Sequence, residues 1–241
     1  MQNKVIASFA EAVADIADGS SILLGGFGPG TPHNLIGALC AQGAKDLHLI
    51  SNTVGGAGLQ DMPQLKSGMT LVEEGRVRKV TCCFSAPASP SRSHALQEQD
   101  EAGEIEVELI PQGTLAERIR AGGAGIPAFY TPAAVGTVLG EGRETRFFDG
   151  REYLLEEAIF ADYAFVRAWR ADEFGNLVFR RAQRNFNPLM ATAARCTIVE
   201  AEEIVPVGTI DPDHIHTSGI FVSRTVLIGP DDILHVRRIS R

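Results

Sequence analysis

IPQGTLAERIRAGGAGIPAFYTP, residues 110–132, is the stretch from which the fold is read. It takes over from a run, Ile105 to Ile110, that reads as a strand. A polar Pro111-Gln112-Gly113 turn follows, then a helix that begins at Thr114 and carries Leu115 to Arg120. That helix stops at a glycine cluster, and the aromatic pair Phe129-Tyr130 comes next. A strand that hands over to a helix through a tight turn is the unit of a parallel α/β sheet. In open sheets of that kind ligands bind outside the carboxyl ends of the strands, which is where Gln112 falls. Glu117 lies inside the helix beside Arg118 and reads as half of a structural ion pair.

The same alternation extends in both directions. Upstream, Val5, Phe9, Ala12, Val13 and Ile16 share one face of a helix predicted over Lys4–Ala17, which Asp18-Gly19 ends. Ser21–Leu24 is a short buried strand, Gly25–Gly30 a turn, and Pro32 opens a helix that runs to Cys40. Leu47–Ile50 is a second strand and Arg78–Phe84 a third, with short helices over Met62–Gly68 and Ser91–Glu101. Downstream, Asp149-Gly150 marks the turn of a hairpin within Arg146–Arg151. Further strands fall at Ala161–Ala168, Leu177–Phe179, Thr197–Glu200 and Phe221–Leu227. The expected class is α/β: an open, mostly parallel sheet flanked by helices, formed as a single domain over residues 1–241.

Composition narrows the function. A net charge of -8 argues against nucleic acid as the main partner, but leaves room for a small anion in a local basic pocket. The four cysteines have no metal-ligand spacing and read as reduced thiols of a cytoplasmic protein. Cys82-Cys83 sits in an apolar run and reads as buried structure. No segment approaches the roughly 18–20 apolar residues of a membrane span. The acidic, amphipathic start of the sequence is unlike a signal or transit peptide.

Three groups of residues could carry chemistry. Gly25-Gly26-Phe27-Gly28-Pro29-Gly30-Thr31-Pro32 follows a strand and opens a helix, as a structural turn or as an anion-tolerant loop. Its spacing is neither GxGxxG nor a P-loop. Ser51-Asn52-Thr53 follows the second strand, and Gln112 follows the fourth. Neutral amides hold a carboxylate or carbonyl without adding charge. All three groups fall at one end of parallel strands, which points to one shared pocket.

Other candidates read as structure. His214 and His216 have the spacing of a metal pair but no accompanying ligand cluster, so no metal is expected. Glu73-Glu74, Glu156-Glu157 and Glu202-Glu203 read as solvated faces. Arg180, Arg181 and Arg184 with Asn185-Phe186-Asn187-Pro188 read as a loop anchor or subunit contact, with phosphate binding as the sharper alternative.

The chain resembles the alpha subunits of family I 3-oxoacid CoA-transferases over nearly its whole length. The resemblance rests on Gly25-Gly-Phe-Gly28 with Pro32 and Leu35-Ile36, on Ser51-Asn52, and on Glu106–Pro132. It continues through Leu155–Ala158, Phe165–Trp169, Asp172, Gly175-Asn176 and Phe179-Arg180. Ala182, Arg184–Asn187, Asp213–Ile215 and Ile220–Val222 complete it. It implies the alpha-subunit fold and transfer of CoA from succinyl-CoA to a 3-oxoacid. The CoA thioester is then a substrate, and no separate cofactor is needed. The resemblance also implies a glutamate nucleophile on a beta subunit, within a Glu-Asn-Gly motif that this chain lacks. No catalytic residue is therefore expected here. Gly26, Phe27, Gly28, Gly30, Asn52 and Gln112 are expected to bind substrate. Many relatives have Asn where Thr53 stands, and an aromatic-Val-Gly run where this chain has Cys82–Pro87. That Cys82–Pro87 run resembles the subfamily acting on 3-oxoadipate, which is favoured as acceptor with acetoacetate next. Arg92 nearby reads first as a solvent-facing arginine, with pairing to a second carboxylate as the sharper alternative. The rival expectations are a CoA-ester hydrolase subunit on the same scaffold and a non-catalytic binding subunit.

Overall fold

The computed structural model describes residues 3–55, 64–85 and 95–233. In chain order the elements are α1 (Phe9–Val13), β1 (Ser21–Leu24), α2 (His33–Gln42), β2 (Leu47–Ile50), α3 (Gly68–Glu73) and β3 (Val77–Cys82). Then come α4 (Ala95–Glu101), β4 (Glu106–Leu109), α5 (Gln112–Gly123), β5 (Ala128–Thr131), β6 (Thr145–Phe148) and β7 (Arg151–Glu157). The remainder are β8 (Ala161–Asp172), β9 (Leu177–Val178), α6 (Asn187–Thr192), β10 (Ala194–Val205) and β11 (Arg224–Leu227).

The main sheet has eight strands in the order β11-β10-β8-β1-β2-β3-β4, with β9 paired to β8. Every pair on that path is parallel, and only β9 runs antiparallel. Parallel strands are covered on both faces, which is why Ser-Ile-Leu-Leu and Leu-His-Leu-Ile are nearly unbroken apolar runs. Alternate residues feed opposite cores. Ile22 and Leu24 join residues of α1–α4, among them Val13, Leu39, Leu71 and Leu96. Leu23 points the other way, towards Leu115 and Ile119 of α5 and Met190 of α6. Each such aliphatic side chain contributes about 1.5–3 kcal/mol on full burial.

From β1 the chain steps outward through β2, β3 and β4, whereas β8, β10 and β11 lie on its other side. The order therefore reverses between β1 and β8, the topological switch point at which open α/β sheets bind ligands. The Gly25–Gly30 loop leaves β1 at that point, and the Gly25 N–H donates to Phe165 O of β8 at 2.8 Å.

A second sheet, β5-β7-β6, is antiparallel. Its β6–β7 hairpin turns at Asp149 and Gly150, both at positive φ (49° and 75°), as the Asp-Gly pair predicts.

Several boundaries differ from the sequence expectation. The first helix is only Phe9–Val13, because Val5 bridges Thr225 in parallel and lengthens the sheet edge at β11. Ser8 sets the new start by accepting from the Glu11 N–H. The helix expected at Met62–Gly68 is instead α3, which begins at Gly68. A capping box between Ser67 and Thr70 fixes that start, and Met62 itself lies outside the described residues. The described part of the Ser91–Glu101 helix begins at Ala95. Phe221 belongs to a single 3-10 turn, and β11 begins only at Arg224.

The helix of the opening stretch starts two residues early, with Pro111 as its cap and Gln112 as its first residue. It also runs through Gly122 and Gly123 rather than stopping before them. A Cβ on Gly122 would overlap the Ile159 carbonyl oxygen, and one on Gly123 would overlap the Thr192 hydroxyl. Those glycines let the end of α5 press against other backbone.

Candidate active site

Gln112 and Asn52 meet. The Gln112 Nε2 donates to Asn52 Oδ1 at 2.6 Å, across 60 positions of sequence. β4 and α5 bring the glutamine, since Pro111 ends the strand and leaves Gln112 in the first helical turn. β2 brings the asparagine. Past its end, Ser51 N donates to Thr81 O at 3.0 Å, and Cys83 N donates to Asn52 O at 3.1 Å, so the segment stays registered on β3. Ser51 Oγ donates to Thr53 O at 2.8 Å and to Leu24 O at 3.3 Å, which ties it to the end of β1. Asn52 is buried. A primary amide carries two donors and an acceptor, so this bond leaves both side chains with capacity for a carboxylate or carbonyl oxygen.

The glycine loop is the neighbouring wall. Gly26, Gly28 and Gly30 all lie at positive φ (95°, 77° and 81°), where an L side chain is strained. Gly26 also has no room, since a Cβ there would stand 2.6 Å from the Thr31 nitrogen. Phe27 projects between the first two glycines and is exposed (53%). Phe84, two residues past β3 and just beyond Cys83, is a second exposed aromatic on the same sheet edge.

Of the two readings left open for this loop, a structural turn or an anion-tolerant one, the helix start that follows it bears on the second. The Asn34 and Leu35 N–H groups, in the first turn of α2, donate at 3.0 and 3.1 Å to Oε2 of Glu200. An internal carboxylate thus occupies that helix terminus. Glu200 is fully buried and faces the equally buried Arg167 at 3.4 Å. Burial outweighs the Arg167 charge and the backbone donors, and pushes the Glu200 carboxyl up to about 7.

The amide and arginine stretch is a loop anchor. Asn185 Nδ2 donates to Pro29 O at 2.8 Å, and Asn187 Nδ2 donates to Gly30 O at 3.1 Å. Arg180, exposed at the surface, pairs with Glu202 at 2.8 Å, so that guanidinium already has a carboxylate partner. Glu202 also accepts from Arg167 and Gln183, and is no solvated side chain. Glu156 is likewise buried and takes both guanidinium nitrogens of Arg143 at 2.7 Å. Glu73 and Glu74 are exposed.

Glu117 pairs with Arg120 rather than with its neighbour Arg118, on the exposed side of α5. Arg118 turns inward to Glu108 at 2.9 Å and to the Glu157 carbonyl at 2.6 Å. His216 accepts the Phe179 N–H at 3.0 Å, and His214 stands 3.7 Å from Asp211. Among the described residues no three His, Cys, Asp or Glu side chains are grouped to hold a metal ion. Burial pushes the Cys82 and Cys83 thiols up to about 11 and about 12, so neither is a ready nucleophile near neutrality. Arg92 lies outside the described residues.

Sequence reading missed Arg167 and Glu200. For Glu200 a signal exists: a lone carboxylate within the apolar run Thr197–Ala201 demands a buried partner.

Known proteins match this chain along almost its whole length. The sequence model of the family described as Coenzyme A transferase matches residues 6–227. The chain is 47% identical over 231 residues to the A subunit of 3-oxoadipate CoA-transferase from Pseudomonas putida, covering 95% of each. It is 48% identical over 229 residues to the A subunit of the probable succinyl-CoA:3-ketoacid coenzyme A transferase of Bacillus subtilis (strain 168), covering 93% of this chain and 90% of that one. Among solved structures, the acyl-CoA transferase YdiF of E. coli O157:H7, in its thioester complex with CoA, superposes with a TM-score of 0.80 at 24% identity. That match covers 96% of this chain and 48% of the other, so this chain spans about half of YdiF and shares the fold of that half. With a mostly parallel sheet, a glycine loop at its switch point and matches along almost all of its length, this chain belongs to the coenzyme A transferase family.

Proposed function

We propose that this chain is the alpha subunit of a two-subunit 3-oxoacid CoA-transferase, and that the Gln112–Asn52 pair and the Gly26–Gly30 loop form the acyl side of a cleft shared with a beta subunit. The observation that carries the reading is the 2.6 Å bond joining Gln112 to Asn52 at the carboxyl edge of the sheet. Two neutral amides fixed to one another are preorganised to hold an acyl carbonyl or carboxylate, and positioning of that kind lowers a transfer barrier without supplying a nucleophile. The alpha-subunit unit is proposed to extend over the whole sequence, in the cytoplasm. Among the described residues no helix is long and apolar enough to cross a membrane.

The chemistry divides into covalent steps on a glutamate of the beta subunit. Its carboxylate attacks the succinyl-CoA carbonyl, giving a succinyl–glutamyl anhydride and CoA thiolate. The thiolate attacks the glutamyl carbonyl, expelling succinate and leaving a glutamyl–CoA thioester. The 3-oxoacid carboxylate then attacks that thioester and expels the thiolate again. Attack of the thiolate on the 3-oxoacyl carbonyl releases 3-oxoacyl-CoA and restores the glutamate. No cofactor beyond the CoA thioester substrates is required. The relatives are named for 3-oxoadipate and for 3-ketoacids at nearly equal identity. The Cys82-Cys83-Phe84-Ser85 run favours 3-oxoadipate, with acetoacetate second.

The test is steady-state transfer by the co-purified pair, from succinyl-CoA to 3-oxoadipate and to acetoacetate. Gln112→Ala is expected to lower kcat/KM by about 10- to 100-fold, the equivalent of one hydrogen bond to a charged or developing charge. Assembly should be unchanged. Full activity in the variant would remove Gln112 from the site. Hydroxylamine should trap a glutamyl–CoA adduct on the partner. Thioester hydrolysis without such an adduct would instead favour a hydrolase on this scaffold, and no turnover at all a binding subunit.

A further inference from the structure

Within itself the glycine loop is held by the Phe27 N–H to Pro29 O at 3.3 Å and by the Thr31 hydroxyl and N–H to Gly28 O at 3.0 and 3.4 Å. Three of its residues are glycines at positive φ, and Phe27 extends from it into solvent. Its described contacts at the far end come from one other segment. Asn185 Nδ2 donates to Pro29 O at 2.8 Å and to Ala182 O at 2.6 Å, and its Oδ1 accepts from the Phe186 N–H. Asn187, fully buried, donates from Nδ2 to Gly30 O at 3.1 Å and to Gln183 O at 2.8 Å. Its Oδ1 accepts the Arg167 N–H of β8 at 3.0 Å. The loop is built around that second amide. A Cβ at Gly25 would overlap Asn187 Oδ1, and one at Gly30 would come within 2.8 Å of both Asn187 Nδ2 and Gln183 O. Two consecutive loop carbonyls are therefore held by two amides from one short segment, and two of the glycines exist to admit the buried one.

We propose that Asn185 and Asn187 are positioning residues for acyl transfer, acting as an amide latch that sets the height of the Gly26–Gly30 loop over the substrate carboxylate. Neither amide needs to touch substrate. The inference rests on the reading of that loop as a pocket wall. A latch and a purely structural residue differ in kinetics. Structural loss lowers the active fraction, so kcat falls and KM does not. A displaced wall raises KM for the acid while the folded, assembled pair persists.

The variants are Asn185→Asp and Asn187→Asp, each co-purified with the beta subunit and assayed with succinyl-CoA and 3-oxoadipate. Asn185→Asp keeps the acceptor used by Phe186, removes the donor to Pro29 and Ala182, and sets a carboxylate oxygen against those two carbonyls, which pushes the loop off the latch. Its side chain is exposed, so folding should tolerate it. KM for the acid should rise by about 3- to 10-fold in Asn185→Asp, the scale of one neutral hydrogen bond. Asn187→Asp should show a larger rise. If Asn187→Asp fails to assemble, Asn185→Asp alone decides. Phe27→Ala separates the latch from the pocket wall. Unchanged KM in assembled Asn185→Asp alongside a raised KM in Phe27→Ala overturns the latch and leaves the wall standing. Unchanged KM in both overturns the latch together with the reading of the loop.

Discussion

Glu200 shows how much one buried side chain controls. Its carboxylate closes the N-terminus of α2 from β10 and faces Arg167 on β8, so it joins three elements within one polar contact. Its carboxyl is raised to about 7 by burial, above the usual 4.5 of the unfolded chain. A raised carboxyl binds a proton more tightly in the folded state. Its contribution to stability is therefore full below about pH 4.5 and is lost as pH rises through about 7. Glu200→Gln cannot ionise. Denaturant titrations at several pH values between about 5 and 8 should show the variant gaining on the parent as pH rises. A difference that stays constant with pH would mean that Glu200 is ionised throughout. The need for a partner was legible here, since a carboxylate inside an apolar strand must be compensated. The partner was not, because Arg167 and the start of α2 lie far away in sequence.

Among the elements, α5 has both ends committed. Its start presents Gln112, and its end slides between Ile159 and Thr192 on two glycines. Gly122→Ala would gain roughly 0.5–1 kcal/mol in helix propensity but drive a methyl into a backbone carbonyl. The collision should win, with a net loss of about 1–3 kcal/mol in chemical denaturation. Gly113→Ala meets nothing within 4 Å and should be neutral or slightly stabilising in the same measurement. Equal effects at the two positions would refute the role of close packing. Legibility varied by element for a physical reason. β1 and β2 were readable to the residue because coverage of both faces imposes unbroken apolar runs. α1 was not, because the apolar positions at Val5 and Ile6 suit a helix face equally well until β11 offers them an edge. The glycine cluster after Arg120 looked like a stop, since tight packing and helix termination use the same residue.

At the scale of the whole molecule, the candidate site is one-sided. The sheet edge supplies amides, glycines and the exposed aromatics Phe27 and Phe84, and its two cysteines at β3 are held protonated. The purified chain alone is expected to bind 3-oxoacids weakly and to transfer no CoA. Activity should appear on adding the partner and saturate at a fixed ratio of the two chains. Transfer by the isolated chain, confirmed free of partner by mass spectrometry, would place a nucleophile here and undo that expectation. The open, mostly parallel architecture was legible from alternation alone. The split of the sheet around β1 was not, because strand order depends on contacts that no local pattern carries.

The bridge between Val5 and Thr225 also bears on how the protein is made. Lys4 and Ile6 exchange backbone hydrogen bonds with Thr225, and Lys4 Nζ reaches Gly219 O at 2.6 Å. Synthesis runs from residue 4 towards residue 225, so the earlier segment must wait for the later one before this pairing forms. Such sequence-distant pairing is slow to form and leaves strand edges open in the meantime. In a growing chain, β11 closes this pairing onto a segment synthesised long before it.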